Sequence, residues 1–141
     1  MLQKNLVRKK YYFLRKKKYY NIFKDFFIPF LDIIKSKFKK KKIKLALFYP
    51  SSFEINVLNL LKFNFINSQN LLLPVIEDNN TMNFFSWKIN QVMQVNRYGI
   101  LEPIKSKQCK PDIMLVPLLA FDREKYRLGY GKGFYDKYLN K

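Results

Sequence analysis

The sequence predicts an α/β protein on a mostly parallel sheet with helices covering both faces. Apolar runs of strand length, at residues 43–49, 71–76 and 113–117, alternate with segments of helical character. Three of the four glycines then fall within five residues, in Arg127-Leu128-Gly129-Tyr130-Gly131-Lys132-Gly133-Phe134-Tyr135-Asp136, just before a helix start. In such folds ligands gather beyond the carboxyl ends of the strands.

Residues 2–20 lack a helix breaker and place Leu2, Leu6, Phe13 and Tyr20 toward one side, which reads as a first helix. Lys4 and Arg8 stand four apart on another face, where two cations repel mildly unless the surface tolerates them or a shared anion holds them. A second helix is expected over 25–38, with Pro29 in its first turn or at a kink and the lysine run 39–42 closing it. Residues 43–49 read as a buried strand stopped by Pro50, and Ser51 or Ser52 is the expected cap of a helix over 54–62. Strands follow at 71–76 and 82–87, separated by the polar turn 77–80. Residues 96–103 read as an ordered loop and 105–110 as a polar linker. Residues 113–117 form the most convincing buried strand, and 118–126 lead from it to the glycine cluster.

A chain of 141 residues fits one domain that buries roughly two-thirds of its unfolded surface, and no second domain is expected. Fourteen Phe and ten Tyr supply large buried areas, which excludes disorder throughout. There is no histidine, so imidazole bases, the usual zinc sites and Ser-His or Cys-His nucleophiles are excluded. The single cysteine, Cys109, has no partner for a disulfide, which fits a reducing compartment. The start carries Lys4, Arg8, Lys9 and Lys10 and does not read as a secretory signal, and the best apolar stretch is too short to span a bilayer. A soluble, cytoplasmic protein is expected.

The formal charge of +18 is concentrated early, with sixteen Lys/Arg against two acidic residues up to Lys44. A basic arm interleaved with aromatics could bind nucleic acid or an anionic membrane surface. The composition favours a solvated helix face instead, because Asn and Phe are enriched along the whole chain and not only beside the charges.

Glycines at this density let a loop curl with positive φ and turn successive N–H groups toward an anion. Lys132 and Arg127 add positive charge, and the following helix start faces the same spot. The spacing matches neither a Walker A loop nor a dinucleotide fingerprint. Taken alone, it supports an anion-binding loop and leaves the anion open.

At Asp112-Ile113-Met114-Leu115-Val116-Pro117, Ala120-Phe121-Asp122 and the glycine cluster, the chain strongly resembles the 5-formyltetrahydrofolate cyclo-ligases, also called methenyltetrahydrofolate synthetases. Upstream, the Lys4 to Arg8 spacing, Tyr49 followed by Glu54-Ile55-Asn56, Leu73-Pro74-Val75, Met82, Gly99-Ile100 and Glu102-Pro103 agree in order. Val57 and Leu118 depart from the residues usual in the family, Thr and Gly.

The resemblance implies a three-layer α/β/α sandwich, Rossmann-like, that converts 5-formyltetrahydrofolate and ATP to 5,10-methenyltetrahydrofolate, ADP and phosphate with magnesium. It implies that the formyl oxygen attacks the γ-phosphorus and that N10 of the folate then displaces phosphate as the ring closes. By the same resemblance Lys4 and Arg8 reach ATP, and Arg127, Leu128, Gly129, Tyr130, Gly131, Lys132, Gly133, Phe134 and Tyr135 wrap its phosphates. Lys132 and Arg127 act on the transferred group, Asp136 helps hold Mg2+, and Glu54, Tyr98, Tyr130 and Phe134 bind the folate. The expectation is one cyclo-ligase-like domain over 1–141 that lacks the family's C-terminal elements and works as a monomer. The alternatives are a non-catalytic basic phosphate- or nucleic-acid-binding module and a decayed cyclo-ligase that only binds nucleotide.

Overall fold

The computed structural model describes residues 2–39 and 42–140. In chain order it contains α1 (Leu2–Lys17), a 3-10 turn (Lys24–Phe27), α2 (Ile28–Phe38), β1 (Lys44–Ala46), a 3-10 segment (Val57–Lys62) and α3 (Asn64–Asn67). There follow β2 (Asn70–Ile76), β3 (Met82–Ser86), β4 (Met93–Val95), β5 (Leu101–Pro103), β6 (Ile113–Met114), β7 (Ala120–Phe121), β8 (Arg127–Leu128) and α4 (Phe134–Leu139).

The central sheet runs β3-β2-β1-β6. β1 is parallel to β2, with Leu45 opposite Leu71, and parallel to β6, with Leu45 opposite Ile113. β3 returns antiparallel, with Phe84 opposite Pro74. The expected mostly parallel sheet is therefore present.

Side-chain alternation divides the core in two. Leu45, Leu47, Leu71 and Leu73 face Leu31 and Ile34 of α2 together with Val57, Leu60 and Ile66. Ala46, Leu72, Met82 and Phe84 face the other way, toward Phe134, Tyr135 and Tyr138. Helices thus cover both faces, which makes three layers.

Several expected boundaries shift for physical reasons. The first helix ends at Lys17, and its apolar side is solvent-facing: Leu6, Phe13 and Tyr20 are 64%, 55% and 69% exposed. Arg8, Tyr12 and Arg15 turn inward instead. The second helix enters through the 3-10 turn, and Pro29 lies in the first turn of α2, where a missing N–H costs no helical bond. Lys40 and Lys41 of the lysine run, and the side chain of Leu2, lie outside the described residues.

The cap expected at Ser51 or Ser52 is supplied by Asn56, whose side chain accepts from the Leu58 N–H, and the segment it opens is 3-10. Residues 96–103 are not all loop, because β4 and β5 form a hairpin around them. Only Ile113 and Met114 of 113–117 pair in the sheet, at its edge and half-buried. The lead-in 118–126 contains one strand of the antiparallel pair β7–β8.

Candidate active site

β1 has β2 on one side and β6 on the other, so the chain leaves it in opposite directions and opens a crevice beyond its carboxyl end. Two segments flank that crevice. From β1 come Leu47 to Pro50 and the turn that carries Glu54, and from β6 comes the connection to β7, β8 and the glycine loop.

The Glu54 turn is strained and pinned. Ser52 and Phe53 both take left-handed backbone, at φ of 46° and 65°, which non-glycine residues avoid unless their surroundings hold them there. The Phe53 ring meets Tyr12 and Tyr19 edge-on at 6.1 and 5.7 Å, with the Lys16 ammonium 5.8 Å from its centre. This turn buries the Glu54 carboxylate to 7% exposure, and the Ser51 N–H and hydroxyl donate to Oε2 at 2.8 and 3.3 Å. A buried carboxylate needs such donors.

Tyr130 links that carboxylate to the glycine loop. Its hydroxyl accepts from Arg15 Nη1 at 2.8 Å and lies within the field of the Glu54 carboxylate. Burial, then the Glu54 carboxylate, push the Tyr130 phenol well above the ordinary 10.0, while Arg15 pulls it down. Burial and the Glu54 charge likewise push Tyr135 up, and burial raises Tyr138. The folded chain therefore holds these phenolic protons more tightly than the unfolded chain. Stability is independent of them below pH 10 and falls as pH rises past that value. Melting temperature followed from about pH 8 to about pH 11 should drop at the alkaline end, and Tyr135→Phe should flatten the drop.

In the loop, Gly131 and Gly133 have φ of 102° and 70°, whereas Gly129 needs no positive φ. Arg8 Nε donates to the Gly129 carbonyl at 3.0 Å, and a Cβ on Gly131 would stand 3.2 Å from Arg8 Cζ. Gly131→Ala is expected to cost about 1–2 kcal/mol in urea unfolding and Gly129→Ala less than about 0.5 kcal/mol. Equal effects would mean that the loop conformation makes no demand at Gly131. The left-handed Gly133 opens α4, of which Phe134, Tyr135 and Tyr138 face the sheet.

Lys132 projects beside an aromatic pair. Its ammonium lies 5.1 Å from the centre of the Tyr98 ring, which also meets Phe134 edge-on at 5.7 Å and the Arg97 guanidinium at 5.4 Å. Tyr98 sits in the β4–β5 turn, where Asn96 Oδ1 accepts from the Tyr98 N–H at 2.9 Å. Glu102, 4% exposed, ties that hairpin to β2 by accepting from the Ile76 N–H, Gln94 and Asn96 at 3.1, 3.1 and 3.0 Å.

Asp136, in the first turn of α4, has an exposed carboxylate that pairs with Arg127 at 3.3 Å. Among the described residues no group of three or more His, Cys, Asp or Glu is placed to hold a metal ion. A lone carboxylate is the donor set that suits Mg2+ shared with phosphate oxygens and water. Lys4 is exposed on α1, one turn before Arg8. No helix among the described residues is long and apolar enough to cross a membrane.

Of the residues singled out from sequence, Glu54 and Tyr130 thus meet on one side of the loop, and Tyr98, Lys132 and Phe134 on the other. Arg8 lies over the loop, and Arg127 with Asp136 closes its end. Sequence reading missed Arg15, although its spacing of seven from Arg8 places both on one helix face. It also missed the structural part of Ser51 and Glu102.

Residues 30–141 match the model of the 5-formyltetrahydrofolate cyclo-ligase family. Over 102 residues the chain is 32% identical to the 5-formyltetrahydrofolate cyclo-ligase of Haemophilus influenzae, covering 67% of this chain and 54% of the relative. Over 100 residues it is 35% identical to that of Mycoplasma genitalium, covering 68% and 50%. The chain spans about half the length of the curated relatives it matches. Among solved structures, the 5,10-methenyltetrahydrofolate synthetase of Aquifex aeolicus superposes with a TM-score of 0.70 at 32% identity, over 99% of this chain and 73% of that one. The Mycoplasma pneumoniae 5,10-methenyltetrahydrofolate synthetase shares the fold, with a TM-score of 0.67 at 23% identity, over 98% and 77%.

Proposed function

The chain belongs to the 5-formyltetrahydrofolate cyclo-ligase family, and on that premise we propose that it cyclises 5-formyltetrahydrofolate to 5,10-methenyltetrahydrofolate at the expense of ATP. The observation that carries this reading is one loop joining two unlike surroundings. Its Tyr130 end lies within the field of the buried Glu54 carboxylate, and its Lys132 end meets the Tyr98 ring. A folate needs a hydrogen-bonding acid for its polar edge and a flat ring face for its pterin, while a triphosphate needs amides and an ammonium.

In this reading Glu54 accepts hydrogen bonds from the pterin and Tyr98 lies against its ring, with Phe134 backing Tyr98. The N–H groups from Gly129 to Gly133 and the side chains of Lys4 and Arg8 bind the nucleotide phosphates. Lys132, a compact point charge, neutralises the charge that builds on the transferred phosphoryl group, and Arg127 assists from the start of the loop. Asp136 would hold Mg2+, which would offset the charge on the nucleotide phosphates. Lacking histidine, the chain contributes position and electrostatics instead of an imidazole base, which suits phosphoryl transfer. The protein acts as a cytoplasmic monomer.

The test is direct. Purified protein incubated with 5-formyltetrahydrofolate and Mg-ATP should give the methenyl absorbance together with one ADP per product. A folded protein that forms no product, and binds random DNA in a salt-sensitive manner lost on neutralising Lys16, Lys17 and Lys18, would instead make it a basic nucleic-acid-binding module.

A further inference from the structure

We propose that Arg15 is the positioning residue of the glycine loop, a role that rests on the loop's reading as the nucleotide site. Three of the five N–H donors of its guanidinium are taken by the protein itself. Nη1 donates to the Tyr130 hydroxyl at 2.8 Å, and Nη2 donates to the carbonyls of Leu118 and, at 3.0 Å, Leu119. Arg15 therefore acts through what it holds.

What it holds is the base of the hairpin that presents the loop. Leu118 and Leu119 enter β7, Tyr130 leaves β8, and the Leu119 N–H closes the pair by donating to the Leu128 carbonyl at 2.7 Å. One planar fork thus spans both arms of the hairpin from a single helix position. An ammonium is a single point of charge on a flexible stem and cannot reproduce that span.

Two consequences reach the site. Arg8 lies two turns earlier on the same face of α1, so the seat of Arg15 sets where the Arg8 guanidinium rests against Gly129 and Gly131. Tyr130, held by Arg15, forms the side of the loop that faces the Glu54 charge, so one side chain bears on both the phosphate side and the folate side of the loop. Removing it frees the loop before any ligand arrives, and binding must then supply the lost order.

The experiment titrates Mg-ATP into the whole protein by calorimetry, alongside steady-state kinetics. Arg15→Lys should weaken Mg-ATP binding about tenfold and raise the KM for ATP by a similar factor, with kcat within about threefold and a fall in melting temperature of no more than about 4–8 °C. Adding Tyr130→Phe to Arg15→Lys should bring less than the product of the two single effects, because both remove the same contact. Wild-type affinity and KM in Arg15→Lys would overturn the proposal, as would a KM change that only tracks a fall in melting temperature. Should Arg15→Lys fail to fold, Tyr130→Phe alone should raise the KM for ATP about threefold, and an unchanged KM there overturns it. Absence of Mg-ATP binding by the folded wild-type protein would overturn the nucleotide reading itself, and the role of Arg15 with it.

Discussion

Lys132→Ala is expected to lower kcat for the cyclisation by about 100- to 1000-fold, the usual loss when one preorganised charge is removed from a developing phosphoryl transition state. The side chain is exposed and, among the described residues, lies over the face of Tyr98, so the fold does not depend on it. The melting temperature should therefore stay at its wild-type value while turnover collapses. Lys132→Arg should recover little, because a guanidinium fork places its charge further out and in a plane. A kcat within threefold of wild type in Lys132→Ala would remove this residue from the chemistry.

Phe84→Ala is expected to cost about 3–5 kcal/mol of stability, the range for emptying a fully buried aromatic site. Phe84 is 0% exposed on β3, and its ring packs edge-on to Tyr138 at 4.9 Å and Tyr135 at 6.3 Å. It is the floor on which α4 rests, so the loss reaches Gly133 and the loop as well as the core. Phe84→Leu keeps most of the volume and should cost less, by about half. Urea unfolding of the two variants measures both. A loss under 1 kcal/mol for Phe84→Ala would mean that α4 does not depend on this contact.

The sheet was legible in the sequence where strands are buried on both sides. The runs at 43–49 and 71–76 are apolar throughout except for the exposed Lys44 that begins β1, since helices cover both faces. The β4–β5 hairpin was not legible, because Met93, Gln94 and Val95 are solvent-facing or half-buried and show no alternation, and its register depends on the buried Glu102. The inward face of α1 was misread for a related reason. Its apolar residues stay in water, and the residues that dock it are two arginines and a tyrosine, which hydrophobic periodicity ignores. The loop was legible from glycine density alone, but only the folded backbone separates Gly129, which needs no positive φ and has room for a Cβ, from Gly131, which Arg8 crowds.

The contact between Arg8 and Gly129 joins positions 121 apart in the chain, and that between Arg15 and Leu118 positions 103 apart. During synthesis the first helix must wait, already outside the ribosome, until the hairpin emerges to receive it. The pairing of β1, β2 and β3 needs none of that delay, because those strands are near neighbours in sequence. The glycine loop is therefore seated on the first helix only after β1, β2 and β3 can pair, and a protease that clips that helix would leave their pairing intact and the loop without its Arg8 and Arg15 contacts.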